Sequence, residues 1–214
     1  AIVGTLVMTA LAALVGIPVG LFAGVYLSEF GRDSRAASAV RFVSNLLMGT
    51  PSIIVGVFVY TLIVVPTKTF SAYAGAAALA FIMLPVMART AEDMLSLVPN
   101  ALRESALALG TPKWKATVSI VFRAARTGLI TGALLAIARV SGETAPLLFT
   151  ALNSPFWNSS LGEPTANLTV TIFNYAMSPY PDWQQTAWAA SFLVIAGVLL
   201  TTLLARGLLR ERKN

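Results

Sequence analysis

The chain has 214 residues, 57% of them hydrophobic and only 11% charged, against roughly 45–50% and about 25% in an ordinary soluble domain. A water-facing globular protein is therefore excluded, and a formal net charge of +6 reads as membrane orientation rather than nucleic-acid binding, because the basic residues sit in blocks between apolar segments. Absence of cysteine and histidine excludes thiol chemistry, zinc clusters and histidine acid–base catalysis.

Five apolar segments approach the roughly 20 residues that a bilayer crossing needs: about 4–27, 42–65, 72–88, 127–150 and 186–204. The third is the weakest, being short and containing Pro85, whereas the fifth carries no charge over 187–205. The expectation is an all-α membrane protein forming one transmembrane domain over residues 1–214. The chain begins at Ala1 inside an apolar stretch, with no Met and no basic leader, and does not resemble a cleaved signal peptide.

Thirteen of the 15 basic residues fall after span one (Arg32, Arg35, Arg41), between spans three and four (Arg89, Arg103, Lys113, Lys115, Arg123, Arg126) and in the tail (Arg206, Arg210, Arg212, Lys213). Five alternating spans put these regions on one side, which the positive-inside rule makes cytoplasmic. The beginning of the chain then lies outside, so at least one earlier helix is expected to precede it. The outer side holds Lys68 and the segment 151–185, which has neither Lys nor Arg.

That outer segment gathers Phe156, Trp157, Phe173, Tyr175, Tyr180 and Trp183, with Trp188 just beyond. Such rings suit a headgroup-level belt or a docking surface for a soluble outer partner. The short matches Asn158-Ser-Ser and Asn167-Leu-Thr to the glycosylation pattern carry no weight.

Residues 98–126 form the cytoplasmic loop. Pro99-Asn100 opens a helix, and Leu102, Ala106 and Leu109 fall at i, i+4 and i+7, one helical stripe. Gly110 suits a left-handed cap, Thr111 can cap a second helix, and Pro112 suits its first turn. Periodicity alone fits an amphipathic connector lying on the membrane equally well.

Glu104-Ser105-Ala106, Gly110 and Ile120 resemble the EAA loop of ABC-importer permeases, E-A-A, three residues, G, nine residues, I, then L-P. The match holds at Glu104, Ala106, Gly110 and Ile120 and departs at Ser105, Phe122 and Arg123. The resemblance implies that this loop is a coupling helix seated in a groove of a separate ATPase.

The run Ala138-Arg139-Val140-Ser141-Gly142-Glu143-Thr144-Ala145-Pro146-Leu147 resembles the AR-x-x-GETAPL signature of Pst-type phosphate permeases. Asn174 to Tyr180 with Asp182-Trp183, and Pro51-Ser52-Ile53 with Gly56, are similar to the A-type subunit of that family. The resemblance covers essentially the whole chain. It implies a type I ABC-importer helical bundle, with five spans and a sixth in front. It also implies a bacterial or archaeal cytoplasmic membrane location and a heterodimer with a C-type permease. An ATPase dimer would bind the ATP and Mg, and a soluble phosphate-binding protein would dock outside. No cofactor, metal ligand or catalytic residue is expected in this chain.

Arg139 and Glu143 need a physical reason, since a charge in mid-membrane costs at least about 2.5–3.5 kcal/mol. Their i, i+4 spacing would set them about 6 Å apart on one helix face, as a structural ion pair or as an anion site. An Arg fork matches phosphate oxygens, and Glu143 would hold the fork when the path is empty. In the family resembled, the two positions line the phosphate path. Gly142 and Pro146 flank the pair, and a proline inside a helix frees a backbone carbonyl beside a water-filled path. Arg89, Glu92 and Asp93 close span three and are expected to pair with one another or with the cytoplasmic loop, as a solvated helix end would.

No G-x-x-x-x-G-K-[ST] loop occurs, so no Walker-type phosphate cradle is expected here. Two rivals remain: an ABC permease for another oxyanion such as molybdate or sulfate, and an ion-coupled secondary transporter using Arg139 and Glu143 as a relay. The second lacks the internal repeat that such transporters often show.

Overall fold

The structure is a computed structural model that describes residues 1–157 and 160–210. Asn158, Arg212 and Lys213 lie outside the described residues, as do the side chains of Arg206 and Arg210. In chain order the helices are α1 (Ile2–Phe30), α2 (Arg35–Gly49), α3 (Ser52–Thr67), α4 (Ala72–Ser96), α5 (Asn100–Ala108), α6 (Lys113–Val140), α7 (Ala145–Thr150), α8 (Leu168–Ala176) and α9 (Pro181–Arg210). Single π-turns interrupt α1 at Tyr26–Phe30, α3 at Tyr60–Val64 and α6 at Thr117–Val121. Four of these helices, α1, α4, α6 and α9, are long and apolar enough to cross a membrane, and the bent pair α2–α3 makes five when it is counted as one span.

The centre of the bundle is α4, which runs for 25 residues straight through Pro85. The weak, short third segment of the sequence is thus the most enclosed helix. Its apolar window is 61% buried, against 11% for α9. Small residues explain why. Gly16, Gly20 and Gly24 recur every fourth residue on α1 and let the two backbones meet. A Cβ on Gly20 would stand 2.7 Å from the Leu84 carbonyl oxygen, and one on Gly24 2.6 Å from that of Ala88. Close approach of this kind replaces the hydrophobic effect as the source of association in lipid.

Residues 42–65 do not form one straight span. The chain bends by 106° between α2 and α3, because Pro51 cannot continue a helix and drives Thr50 to φ −79°, ψ 134°. Helix α2 begins at Ser34, whose hydroxyl accepts from the Ala37 amide at 3.0 Å. It packs against α4 with Phe42, Val43 and Leu46 exposed. Helix α3 is the more apolar part of this broken pair, and its 16 residues, Ser52–Thr67, rise about 24 Å.

Residues 127–150 are also broken. Helix α6 ends at Val140, residues 141–144 form an irregular turn, and α7 starts at Ala145. Pro146 is therefore no mid-helix kink; it occupies the first turn of α7, where its missing N–H costs nothing. It packs on α3 at Gly56, where a Cβ would come within 2.6 Å of the Pro146 Cα.

Candidate functional site: a helix break and a cytoplasmic lever

The two charges of the broken segment do not pair. Arg139 sits exposed in the last turn of α6, where a cation suits the negative end of the helix dipole. Glu143 lies in the turn beyond, and with the helix already ended the i, i+4 geometry does not exist. Among the described residues neither side chain makes an ion pair or a hydrogen bond. Arg139 thus presents five unclaimed N–H donors in a rigid fork, the state in which an oxyanion is best received.

The turn that carries Glu143 is held by its backbone. The Thr169 hydroxyl, only 5% exposed, donates to the Glu143 carbonyl oxygen at 2.8 Å. Asn167, fully buried, organises the other side. Its Oδ1 accepts from the Val170 amide at 2.9 Å, capping α8, and its Nδ2 donates to the Leu152 carbonyl oxygen at 3.3 Å. Leu152 itself has φ +55°, so this amide fixes a strained corner. The sequence pattern around Asn167 is thus a buried hydrogen-bond centre and no surface acceptor.

A cleft of about 470 Å³ lies beside Ile137, Ala138 and Ser141, between α1, α6 and α9. Its walls are mostly apolar, with the hydroxyl-bearing Thr5, Thr9, Ser141 and Thr201 among them, and include neither Arg139 nor Glu143, so it offers an anion no charge.

At the opposite end the basic residues converge. Arg41 on α2 donates to Glu92 of α4 at 2.6 Å and to the carbonyl oxygens of Leu27 and Arg32 at 3.1 Å. Arg89 meets Glu92 at 3.5 Å and Asp93 at 3.3 Å. The α4 cluster pairs internally as expected, but its shortest bond goes to α2 and none goes to the loop.

In that loop Asn100 opens α5 and Gly110 takes φ +78° just past its end. The Gly110 amide donates to the Leu107 carbonyl and that of Thr111 to Ala106, a left-handed helix stop. Thr111 caps nothing with its side chain; Pro112 occupies the cap of α6. The anticipated apolar stripe is split, since Ala106 is buried at 3% while Leu102 and Leu109 are 44% and 85% exposed. Glu104 points to solvent, and Ile120 is half-buried in the π-turn of α6. The end result is a short helix that offers most of its surface, including Leu107 and Leu109, to something beyond the bundle.

Sequence reasoning overlooked the residue that docks this helix. Arg103 reaches Glu29, at the end of α1, with an N–O distance of 2.6 Å. A carboxylate ending a long apolar helix was the available signal.

Residues 16–213 match the model of the family described as binding-protein-dependent transport system inner membrane component. The chain is 49% identical over 214 residues to the phosphate transport system permease protein PstA of Yersinia pestis, covering all of this chain and 72% of that protein. It is 47% identical to the PstA of Haemophilus influenzae, covering 100% and 76%. The PstA of Methanocaldococcus jannaschii, named as probable, is 39% identical over 91% of this chain and 69% of its own length. Among solved structures, an inward-facing MetNI methionine ABC transporter superposes with a TM-score of 0.81 at 21% identity, over 99% of this chain and 94% of that one. That likeness establishes the type I importer fold and nothing about cargo. The chain is an integral membrane permease and belongs to the binding-protein-dependent transport system inner membrane component family, in the group formed by the PstA permeases.

Proposed function

We propose that the chain is one permease subunit of an ATP-driven inorganic phosphate importer, with Arg139 on the anion path. The observation that carries the second half is the unclaimed guanidinium at the helix break; the names of its relatives support phosphate as cargo. An Arg fork donates two parallel hydrogen bonds to phosphate oxygens. Glu143, a few residues on, repels an anion that lingers, so release stays fast. Neither residue is enclosed by this chain alone, which favours a path completed by a second permease, taken here to be a C-type subunit.

A chain without a Walker-type loop draws its power from a separate ATPase dimer, which binds the ATP and Mg. Helix α5 is the coupling helix, with Glu104, Ala106, Gly110 and Ile120 setting its seat and its stop. Closure of the ATPase pushes α5, the bundle rocks, and the site at Arg139 changes sides. Exposed Phe156 and Trp157, with Tyr180 and Trp183, form an outer aromatic face on which a soluble binding protein delivers phosphate. The location is a bacterial or archaeal cytoplasmic membrane.

Phosphate uptake by the reconstituted complex carrying Arg139→Ala tests this directly. Uptake is lost while assembly and ATPase binding persist; uptake at the unsubstituted rate removes Arg139 from the path. Sulfate and molybdate added in excess leave phosphate uptake unchanged, and displacement by either would reassign the cargo.

A further inference from the structure

We infer that the Arg103–Glu29 pair is the mechanical link that carries motion of α5 into α1 and α4; the inference rests on the reading of α5 as the coupling helix. Helix α5 has little else to hold it. Ala106 is its one buried residue, and Leu102, Leu107 and Leu109 all face outward. A lever held only by apolar contact slides, because such contact is non-directional.

Arg103 supplies direction. Its Nε donates to Glu29 Oε2 at 3.1 Å. Its Nη2 donates to Glu29 Oε1 at 2.6 Å and to the Leu95 carbonyl oxygen at 2.7 Å. Its Nη1 donates to the Val98 carbonyl oxygen and to Asn100 Oδ1, the latter at 3.3 Å. All five N–H donors of the guanidinium are therefore used. The acceptors belong to three pieces: the π-turn ending α1, the last turn of α4 with Val98 two residues beyond it, and the first turn of α5 itself. Two of them are backbone carbonyls at the C-terminal end of α4, where helical partners run out.

The pair is also shielded. The side chain of Glu29 is 3% exposed and that of Arg103 19%, so water and salt compete poorly for the bond. Glu29 has no other cation bonded to it among the described residues. Lysine cannot reproduce the clamp, since one ammonium lacks the planar fork that reaches both Glu29 oxygens and the carbonyls together.

The test uses the full complex in proteoliposomes with Arg103→Lys. Spin labels are attached at Leu14→Cys on α1 and Ala101→Cys in the exposed first turn of α5, in a sequence that holds no cysteine. With Arg103 in place, the distance between the labels is narrow and the same without nucleotide and with ATP trapped. In the Arg103→Lys complex it broadens and changes with nucleotide, and phosphate moved per ATP hydrolysed falls by about tenfold, the equilibrium worth of one lost charge-assisted hydrogen bond. Where Arg103→Lys does not assemble, Glu29→Gln, which keeps an acceptor oxygen, gives the same two readings in the same direction. A narrow, nucleotide-independent distance in the substituted complex overturns the inference, as does an unchanged ratio of transport to hydrolysis. The distance needs no substrate, so it stands apart from the functional reading, which fails instead if the unsubstituted complex takes up no phosphate.

Discussion

Gly56→Ala places one methyl group at the contact between α3 and α7. The new Cβ would lie 2.6 Å from the Pro146 Cα and 3.2 Å from its Cβ and carbonyl oxygen, where carbon atoms rest at about 3.5–4.0 Å. One of the two helices must therefore yield by about 1 Å, at an overpacking cost of about 1–3 kcal/mol. Pro146 is three residues from Glu143, so the displacement reaches the turn between the two unpaired charges. A 1 Å error in a positioning element can cost on the order of a hundredfold in rate; uptake of radiolabelled phosphate should fall between tenfold and a hundredfold by the same reasoning. Initial uptake rates in proteoliposomes, normalised to assembled complex, measure this. Gly197→Ala, where the added carbon meets no atom within 4 Å, is the matched control and stays at the unsubstituted rate. Equal uptake by the two variants would refute the claim that α3 sets the position of the break.

Thr169→Val removes the buried donor to the half-buried Glu143 carbonyl and should lower stability by about 1–3 kcal/mol, read as a drop in thermal midpoint together with weaker phosphate uptake. Gly24→Leu cannot fit where a single Cβ already meets the Ala91 side chain at 2.5 Å; yield of folded protein in the membrane should collapse rather than decline. Gly110→Ala forces a side chain into φ +78° at about 1–2 kcal/mol, and should leave the complex assembled while phosphate moved per ATP drops. Glu92→Ala strands Arg41, whose shortest bond is the 2.6 Å contact to that carboxylate, and should loosen α2 enough to raise hydrogen exchange across 35–49.

Apolar runs made the spans legible because nothing competes with hydrophobicity in lipid. Their interruptions were harder. Thr50-Pro51 is a breaker dipeptide by its own chemistry, yet it sits inside a run apolar enough to read as continuous. Pairing of Arg139 with Glu143 follows from a helical spacing that holds only while the helix does, and Gly142 with Pro146 marks its end. Gly16, Gly20 and Gly24 are visible as a repeat, though only the partner surface on α4 shows what they are for. Gly110 was legible because one residue type answers one backbone requirement. Arg103 and Glu29 lie 74 positions apart, and no local pattern connects residues at that separation.

The elbow at Pro51 has a consequence for the bilayer itself. With α2 turned aside, α3 offers about 24 Å of helix to a hydrocarbon layer of about 30 Å. Its exposed surface is apolar at Ile53, Ile54, Val57, Phe58, Leu62 and Val65, with Thr61 returning its hydroxyl to the Val57 carbonyl oxygen, so the shortfall of about 6 Å falls at its ends. Where lipid rather than a second subunit covers α3, thinning of the bilayer or snorkelling of flanking side chains takes up the mismatch, at a fraction of a kcal/mol per Å. Acyl-chain length thereby becomes a variable in how this permease rests and rocks, with longer lipids resisting any conformation in which α3 tilts away from the membrane normal.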